Sequence, residues 1–368
     1  MKLHWPKVHF PKWFRFLMPI GVFGLMCYGT WAFSHKLCYD KIYKYYEHES
    51  VAIGLICTVC ALDILIFFIW LQLAVIVGPG RLPHVSPYSV FAHQSSDPED
   101  NEKLHLNESV LPPICYQCDP NGWPLWCSNC QSLKTERAHH SRELGYCVPK
   151  FDHRCVWLGS IIGKDNYRLF VQFCVFEAIW LVIVWTSIVA FMRDIVKDYK
   201  GGGSHLNGNL IAIFILTTLT WMLVTALFLT QLNCIIKNRT SLEVMERRKK
   251  SFSTRKMFCF YNSDDGNRYV VEFTKREYGD CWSKDTWWQN AIESLGPNVL
   301  MWFIPLGSSV PKFTFQAERD GDSKTSLESV IGPYRETLGN RAIELIKHKI
   351  SNNDYLTKLE AYGDSQSS

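Results

Sequence analysis

The apolar residues of this 368-residue chain are bunched into four long runs, at about residues 16–33, 51–77, 169–192 and 210–236. A bilayer core is crossed by roughly 20 apolar residues in a helix. The backbone finds no water there, so each run is expected to close its hydrogen bonds internally as a membrane helix. A mean hydropathy of −0.06 conceals this segregation. Asp63 and Gln72 in the second run, and Gln172 and Glu177 in the third, are expected to face the bundle interior.

Basic residues beside the runs set the expected orientation. Lys2, Lys7, Lys12 and Arg15 precede the first, and Lys237, Arg239, Arg247, Arg248, Lys249, Lys250, Arg255 and Lys256 follow the fourth. The loops 34–50 and 193–209 carry only three Lys or Arg each. The chain is therefore expected to be a multi-pass protein of the plasma membrane or an endomembrane, with both termini and the 78–168 loop in the cytosol. The sequons at Asn107 and Asn238 should then carry no glycan. The first run is long and lacks a small-residue cleavage site, so no cleavable signal peptide is expected. A net charge of +4 gives no case for nucleic-acid binding.

The expected organisation is a tail (1–15), two membrane helices (16–77), a loop (78–168), two more helices (169–236) and a C-terminal region (237–368). Residues 92–110 read as a polar linker. Residues 256–274 alternate around "NSDDGN" and predict a β-hairpin. The aromatic stretch "TWWQNAIESLGPNVLMWFIPLG" is too short to cross cleanly and should lie on the membrane or pack under the loop. Residues 335–362 predict a surface helix broken near "SNND". The fold class is mainly α and integral to the membrane, with an α+β C-terminal region.

Of the fourteen cysteines, Cys27, Cys57, Cys60, Cys174 and Cys234 lie within the apolar runs, where a thiol behaves as a small hydrophobe. Cys115, Cys118, Cys127, Cys130, Cys147 and Cys155 crowd into the loop. Paired C-x-x-C spacing beside histidine, in a reducing compartment, favours zinc over disulfides. Cys127 and Cys130 form a knuckle, with His140 and Cys147 expected from a returning strand. A four-cysteine ribbon using Cys115 and Cys118 is the alternative.

The stretch "CSNCQSLKTERAHH" at 127–140, followed by "FDHRCVW" at 151–157, resembles the cysteine-rich domain of DHHC-type protein S-palmitoyltransferases over roughly residues 127–170, in a fungal-type form with a DHRC signature. Thr135 stands where the family has proline. Gly163, Asn166 and Phe170 match its G, N and F. "VGPG" at 77–80, "TSLE" at 240–243 (with Thr240 and Glu243) and the segment around Asn290 resemble further family motifs. The four-helix layout, with this loop between helices 2 and 3, is also the family's.

The resemblance implies a transfer of palmitate from palmitoyl-CoA to membrane-proximal cysteines of substrate proteins, through a thioester on the enzyme. Cys155 would be the nucleophile, His153 its base and Asp152 the group that orients the base. A free thiol, with a pKa of about 8.5, needs such help at neutral pH. The partners implied are palmitoyl-CoA, protein substrates and the bilayer. Arg137, Lys134, Arg142 and Lys164 are candidates to meet the CoA phosphates, or else form a solvated cationic face.

The family binds two zincs. The first site maps to Cys127, Cys130, His140 and Cys147, all present. The second maps to Ser141, Leu144, Arg154 and Ile161, of which Leu144 and Ile161 carry no metal donor. One zinc is therefore expected. The competing expectations are a weak or inactive zinc-stabilised scaffold of the same fold, and a transporter using Asp63 and Glu177.

Overall fold

The computed structural model describes residues 14–85, 112–200, 207–248, 256–307 and 331–359; the expected linker at 92–110 and Asn107 lie outside them. Among the described residues, four helices are long and apolar enough to cross a membrane, over Leu17–Tyr43, Glu49–Ile76, Tyr167–Lys197 and Gly208–Ile236. Helix α1 (Phe14–Trp31) runs on through wider, π-type turns over Ala32–Tyr43, so the first span reaches ten residues past its apolar run. Helix α2 (Glu49–Leu71) ends in similar turns over Gln72–Ile76. Helix α3 covers Tyr167–Lys200 and α4 covers Gly208–Ile236. Ala52, Val59 and Ile66 of α2 pack with Trp180, Val184 and Ile188 of α3 and Ile213 of α4. Ile64, Leu219 and Met222 face outwards, as lipid contact demands.

Three of the four polar residues expected to face the bundle interior, Asp63, Gln72 and Gln172, hydrogen-bond other segments. Thr30 Oγ1 donates to Asp63 Oδ2 at 2.8 Å, joining α1 to α2. Gln72 Nε2 donates to the Pro305 carbonyl and its Oε1 accepts from Gly307 N, both at 2.7 Å. Gln172 Nε2 reaches the carbonyls of Met301 and Trp302 at 2.9 Å. The aromatic stretch is thus pinned to α2 and α3, and its first part forms helix α7. It covers Trp287–Leu295 and is followed by a 3-10 turn over Val299–Trp302.

The loop after α2 and the chain after α4 fold together at one end of the bundle. Strand β1 (Cys115–Cys118) of the loop precedes three small hairpins. These are β2–β3 (Trp126–Cys127 with Ser132–Leu133), β4–β5 (His139–Ser141 with Tyr146–Val148) and β6–β7 (His153–Cys155 with Ser160–Ile162). After α4 come helix α5 (Ser241–Arg248), strands β8 (Lys256–Tyr261) and β9 (Arg268–Phe273), and α6 (Lys275–Tyr278). Helix α8 (Asn340–Ser351) and strand β10 (Thr357–Leu359) close the described chain. The antiparallel sheet order is β1-β8-β9-β10. Its hairpin turns on "NSDDGN" with Gly266 at φ +72°, a left-handed position suited to glycine. Ala342 and Ile346 of α8 pack against Phe258 and Phe273 of the sheet.

Asn290 of α7 joins this body to the bundle. Its Nδ2 donates to the last carbonyl of α4, Ile236, at 2.8 Å, and its Oδ1 accepts from Lys284 N at 2.7 Å. Asn290→Ala leaves both backbone groups without a partner in a buried setting, which costs about 1–3 kcal/mol. The expected result is a lower unfolding midpoint in detergent with unchanged helix content, read by circular dichroism.

Candidate active site and metal centre

Strand alternation pairs His153 with Cys155. Residues i and i+2 share one face of a strand, so His153 and Cys155 of β6 lie together while Arg154 faces away. Cys155 is buried and Arg154 is exposed. Arg154 instead meets Glu143 at 2.7 Å, an ion pair joining β6–β7 to the turn of β4–β5.

Asp152, 1% exposed, anchors the imidazole. Its Oδ2 lies 2.6 Å from His153 Nδ1, and its Oδ1 accepts the Ser241 backbone N–H at 2.6 Å. That N–H belongs to the first turn of α5, an end of a helix that favours an anion. Thr240 and Glu243 close a reciprocal cap there: Thr240 N donates to Glu243 Oε2 at 2.9 Å, and Glu243 N donates to Thr240 Oγ1 at 3.3 Å. Phe170 meets the His153 ring edge-on at 4.9 Å. Burial alone disfavours the imidazolium, but hydrogen bonds to Asp152 and Cys155 outweigh it and push His153 up to about 9.

The Cys155 thiol sits in an apolar cluster with Ile69 and Leu73 of α2, Leu169 and Phe170 of α3 and Ile235 of α4. Ser160, opposite Cys155 in the hairpin, donates to the Leu73 carbonyl at 2.8 Å. The Cys155 sulfur is therefore held against the ends of the spans. Asn166 keeps the exit of the hairpin: it accepts from Gly163 N and donates to the Ile161 carbonyl, both at 2.9 Å. A Cβ on Gly163 would lie 2.6 Å from the Pro79 carbonyl oxygen, so only glycine lets the "VGPG" segment pass.

The metal donors converge. Cys127, Cys130, His140 and Cys147 present ligand atoms all within 4.8 Å of one another. His140 and Cys147 are directly opposed across β4–β5. Cys130 Sγ lies 3.2 Å from His140 Nδ1 and 3.8 Å from Cys147 Sγ. With bonds of about 2.3 Å to sulfur, a tetrahedral zinc sets its sulfurs about 3.8 Å apart, so three thiolates and an imidazole at these separations fit zinc. His139 sits outside the cluster, its ring 5.8 Å from Phe151. Cys115 and Cys118 lie in β1 against Phe260 and Met257, away from the four donors, and the ribbon alternative falls. All fourteen cysteines are free thiols.

The positions aligned with a second family site hold other contacts. Ser141 Oγ accepts the Leu144 N–H at 3.2 Å, and Ile161 is buried opposite Arg154. Arg137 corrects an expectation. Its side chain is 1% exposed and grips Glu243 at 2.8 Å and Glu336 at 3.3 Å, so it is no surface cation for CoA. Lys164 is likewise paired, 2.6 Å from Glu336. Asn238 is buried, donating to the Trp282 carbonyl at 3.0 Å and accepting from Lys150 at 2.9 Å, which leaves its amide no room for a glycan. Sequence reading missed Ser241, because its contribution to Asp152 is a backbone N–H, and missed Lys150 and Glu336, which no motif marks; it marked Asn238 only as a sequon.

Comparison with known proteins agrees with this geometry. A family model described as DHHC palmitoyltransferase matches residues 121–248. The chain is 44% identical over 371 residues to palmitoyltransferase PFA5 of Saccharomyces cerevisiae, covering 99% of this chain and 98% of the relative. It is 41% identical over 355 residues to palmitoyltransferase PFA5 of Candida glabrata, covering 95% of each. Palmitoyltransferase ZDHHC15 of Rattus norvegicus is 24% identical over 255 residues, 67% of each chain. The scaffold-only alternative is not favoured: this chain belongs to the DHHC family and is a multi-pass membrane protein S-palmitoyltransferase.

Proposed function

We propose that Cys155 carries the acyl group, with His153 as its proton acceptor and Asp152 as the group that holds and charges the imidazole. The observation that carries this reading is the Asp152–His153–Cys155 arrangement on one hairpin, with the sulfur in an apolar cluster at the ends of the spans. The raised His153 sharpens the role: it takes the Cys155 proton as the sulfur becomes the nucleophile and holds it as an imidazolium. The thiolate attacks the thioester carbonyl of palmitoyl-CoA, the bond from that carbon to the CoA sulfur breaks, and CoA leaves as its thiolate. A thiolate of a substrate protein then attacks acyl-Cys155 and restores it. An acyl chain of palmitate length gains about 0.8 kcal/mol per CH₂ buried, and the apolar cluster under Cys155 offers it a path into the bundle.

The same reading puts both termini in the cytosol, where palmitoyl-CoA and the thiols of membrane-proximal substrate cysteines are available. It assigns one zinc, held by Cys127, Cys130, His140 and Cys147, and none to Ser141, Leu144, Arg154 and Ile161. The zinc supplies a structural cross-link, and no step of the transfer runs through it. The deciding experiment is labelling with a palmitoyl-CoA analogue: a hydroxylamine-labile adduct on the wild type, absent from Cys155→Ser and retained in Cys115→Ser, supports the assignment. An undiminished adduct on Cys155→Ser overturns it.

A further inference from the structure

We propose that Glu336, contributed by a segment outside the matched family domain, is a positioning residue for the transfer reaction, acting through Arg137 on the group that holds Asp152. The proposal rests on the reading of Asp152, His153 and Cys155 given above.

Glu336 is 2% exposed and meets three cations from the catalytic loop. Its Oε1 lies 2.6 Å from Lys164, and its Oε2 lies 3.3 Å from Arg137 and 3.8 Å from Lys150. Burial alone would push the Glu336 carboxyl up, yet Lys150, Lys164 and Arg137 hold it well below the usual carboxylate range. Burial pulls the Lys150 ammonium down to about 8 against the attraction of Glu336. The cluster sets these three cations against two carboxylates, Glu243 and Glu336. Glu336→Gln therefore leaves one carboxylate for three buried or half-buried cations, a state that a protein interior resists strongly.

The backbone indicates what the cluster holds in place. Arg137 (φ 61°), Lys150 (φ 42°) and Asn238 (φ 44°) are all left-handed without being glycine, and each is a member of the cluster or bonded to it. Such residues persist only where their surroundings fix them, and they gather at functional sites. Two routes lead from here to Asp152. Arg137 clamps both oxygens of Glu243 at 2.8 and 2.9 Å; Glu243 caps Thr240, and the next residue, Ser241, donates to Asp152. The Arg137 carbonyl also accepts the N–H of Phe151, adjacent to Asp152, at 3.1 Å.

The groups around the reactive pair are Asp152 on the same hairpin, Tyr167 and Cys174 of α3, and Cys234 of α4. Of these, Asp152 is the one that hydrogen-bonds the His153 ring, so loosening it acts on the imidazolium. The test follows acyl-enzyme formation by the detergent-solubilised full chain across pH, with palmitoyl-CoA as donor. Glu336→Gln is expected to slow it about 10-fold, within the range that misplacing a reacting group produces. It should also move the ascending limb of the pH–rate profile to higher pH, because an imidazolium that is harder to form supports the thiolate less. Glu336→Asp keeps the charge one methylene short and should fall between wild type and Glu336→Gln in both rate and limb. It also decides the matter if Glu336→Gln fails to fold. A slower rate with an unmoved limb, or no change at all, overturns the proposal. Cys155→Ser is run alongside: an adduct that survives it defeats the nucleophile assignment, whereas its loss with an unaltered Glu336→Gln defeats only the positioning role.

Discussion

Replacing Cys155 with serine is expected to abolish the acyl-enzyme, with a loss on the order of 10⁴-fold or more, the scale of nucleophile removals. The size follows from the chemistry of the pair. His153, held at about 9 by Asp152 and Cys155 against the effect of burial, can retain a proton from a thiol. A serine hydroxyl is far too weak an acid to give that proton up. Asp152→Asn probes the same pair from the other side. Without the carboxylate, only Cys155 still opposes the effect of burial on the imidazole, and its pKa moves down. The imidazolium then titrates away at a pH where the wild type keeps it. Acyl-enzyme formation by Asp152→Asn should fall by about 10²–10⁴-fold at neutral pH, by analogy with the loss of an orienting carboxylate elsewhere. Rapid-quench labelling between about pH 6 and 9 checks both variants, and an Asp152→Asn profile parallel to the wild type would sink the account of His153.

Features written in local residue patterns were legible in the sequence. The four apolar runs become four membrane helices, and "NSDDGN" becomes the turn of a β-hairpin. The C-x-x-C pair with His140 and Cys147 becomes a four-donor cluster. Contacts between distant segments were not legible. Strand β1 pairs with β8 across about 140 residues of sequence, and nothing in "CYQC" distinguishes a sheet strand from a metal knuckle. Gln72 and Gln172 were expected to face inwards, as they do, but their partners are backbone groups of the segment 301–307, which hydropathy does not reveal. Ser241 is a further case: its backbone N–H holds Asp152 while its hydroxyl accepts from Gln231 at 3.1 Å, and a backbone contact is not written in residue type. Glu336 carries no motif at all, because its role comes from three cations that reach it from the loop.

Stripping zinc, or Cys130→Ala, is expected to remove acyl-enzyme formation while leaving the membrane helices in place. The argument turns on what else could hold the loop. Its hairpins have two or three residues per strand, too short to be stable alone. The Glu143–Arg154 pair that joins β4–β5 to β6–β7 is half exposed on the arginine side, and a pair of that kind contributes about 0–1 kcal/mol. A structural zinc contributes far more, about 10–16 kcal/mol of apparent free energy in small zinc domains. The Glu143–Arg154 contact therefore cannot replace a metal, and Arg154→Ala should change the unfolding midpoint little. A zinc held by the four donors, together with the Arg137–Glu243–Glu336 cluster, would keep β6 seated under the spans. Metal analysis of the purified chain should give one zinc, and a chelator should abolish labelling at Cys155 without lowering the helix signal. Two zincs per chain, or full labelling after complete zinc removal, would show that the loop is held in some other way.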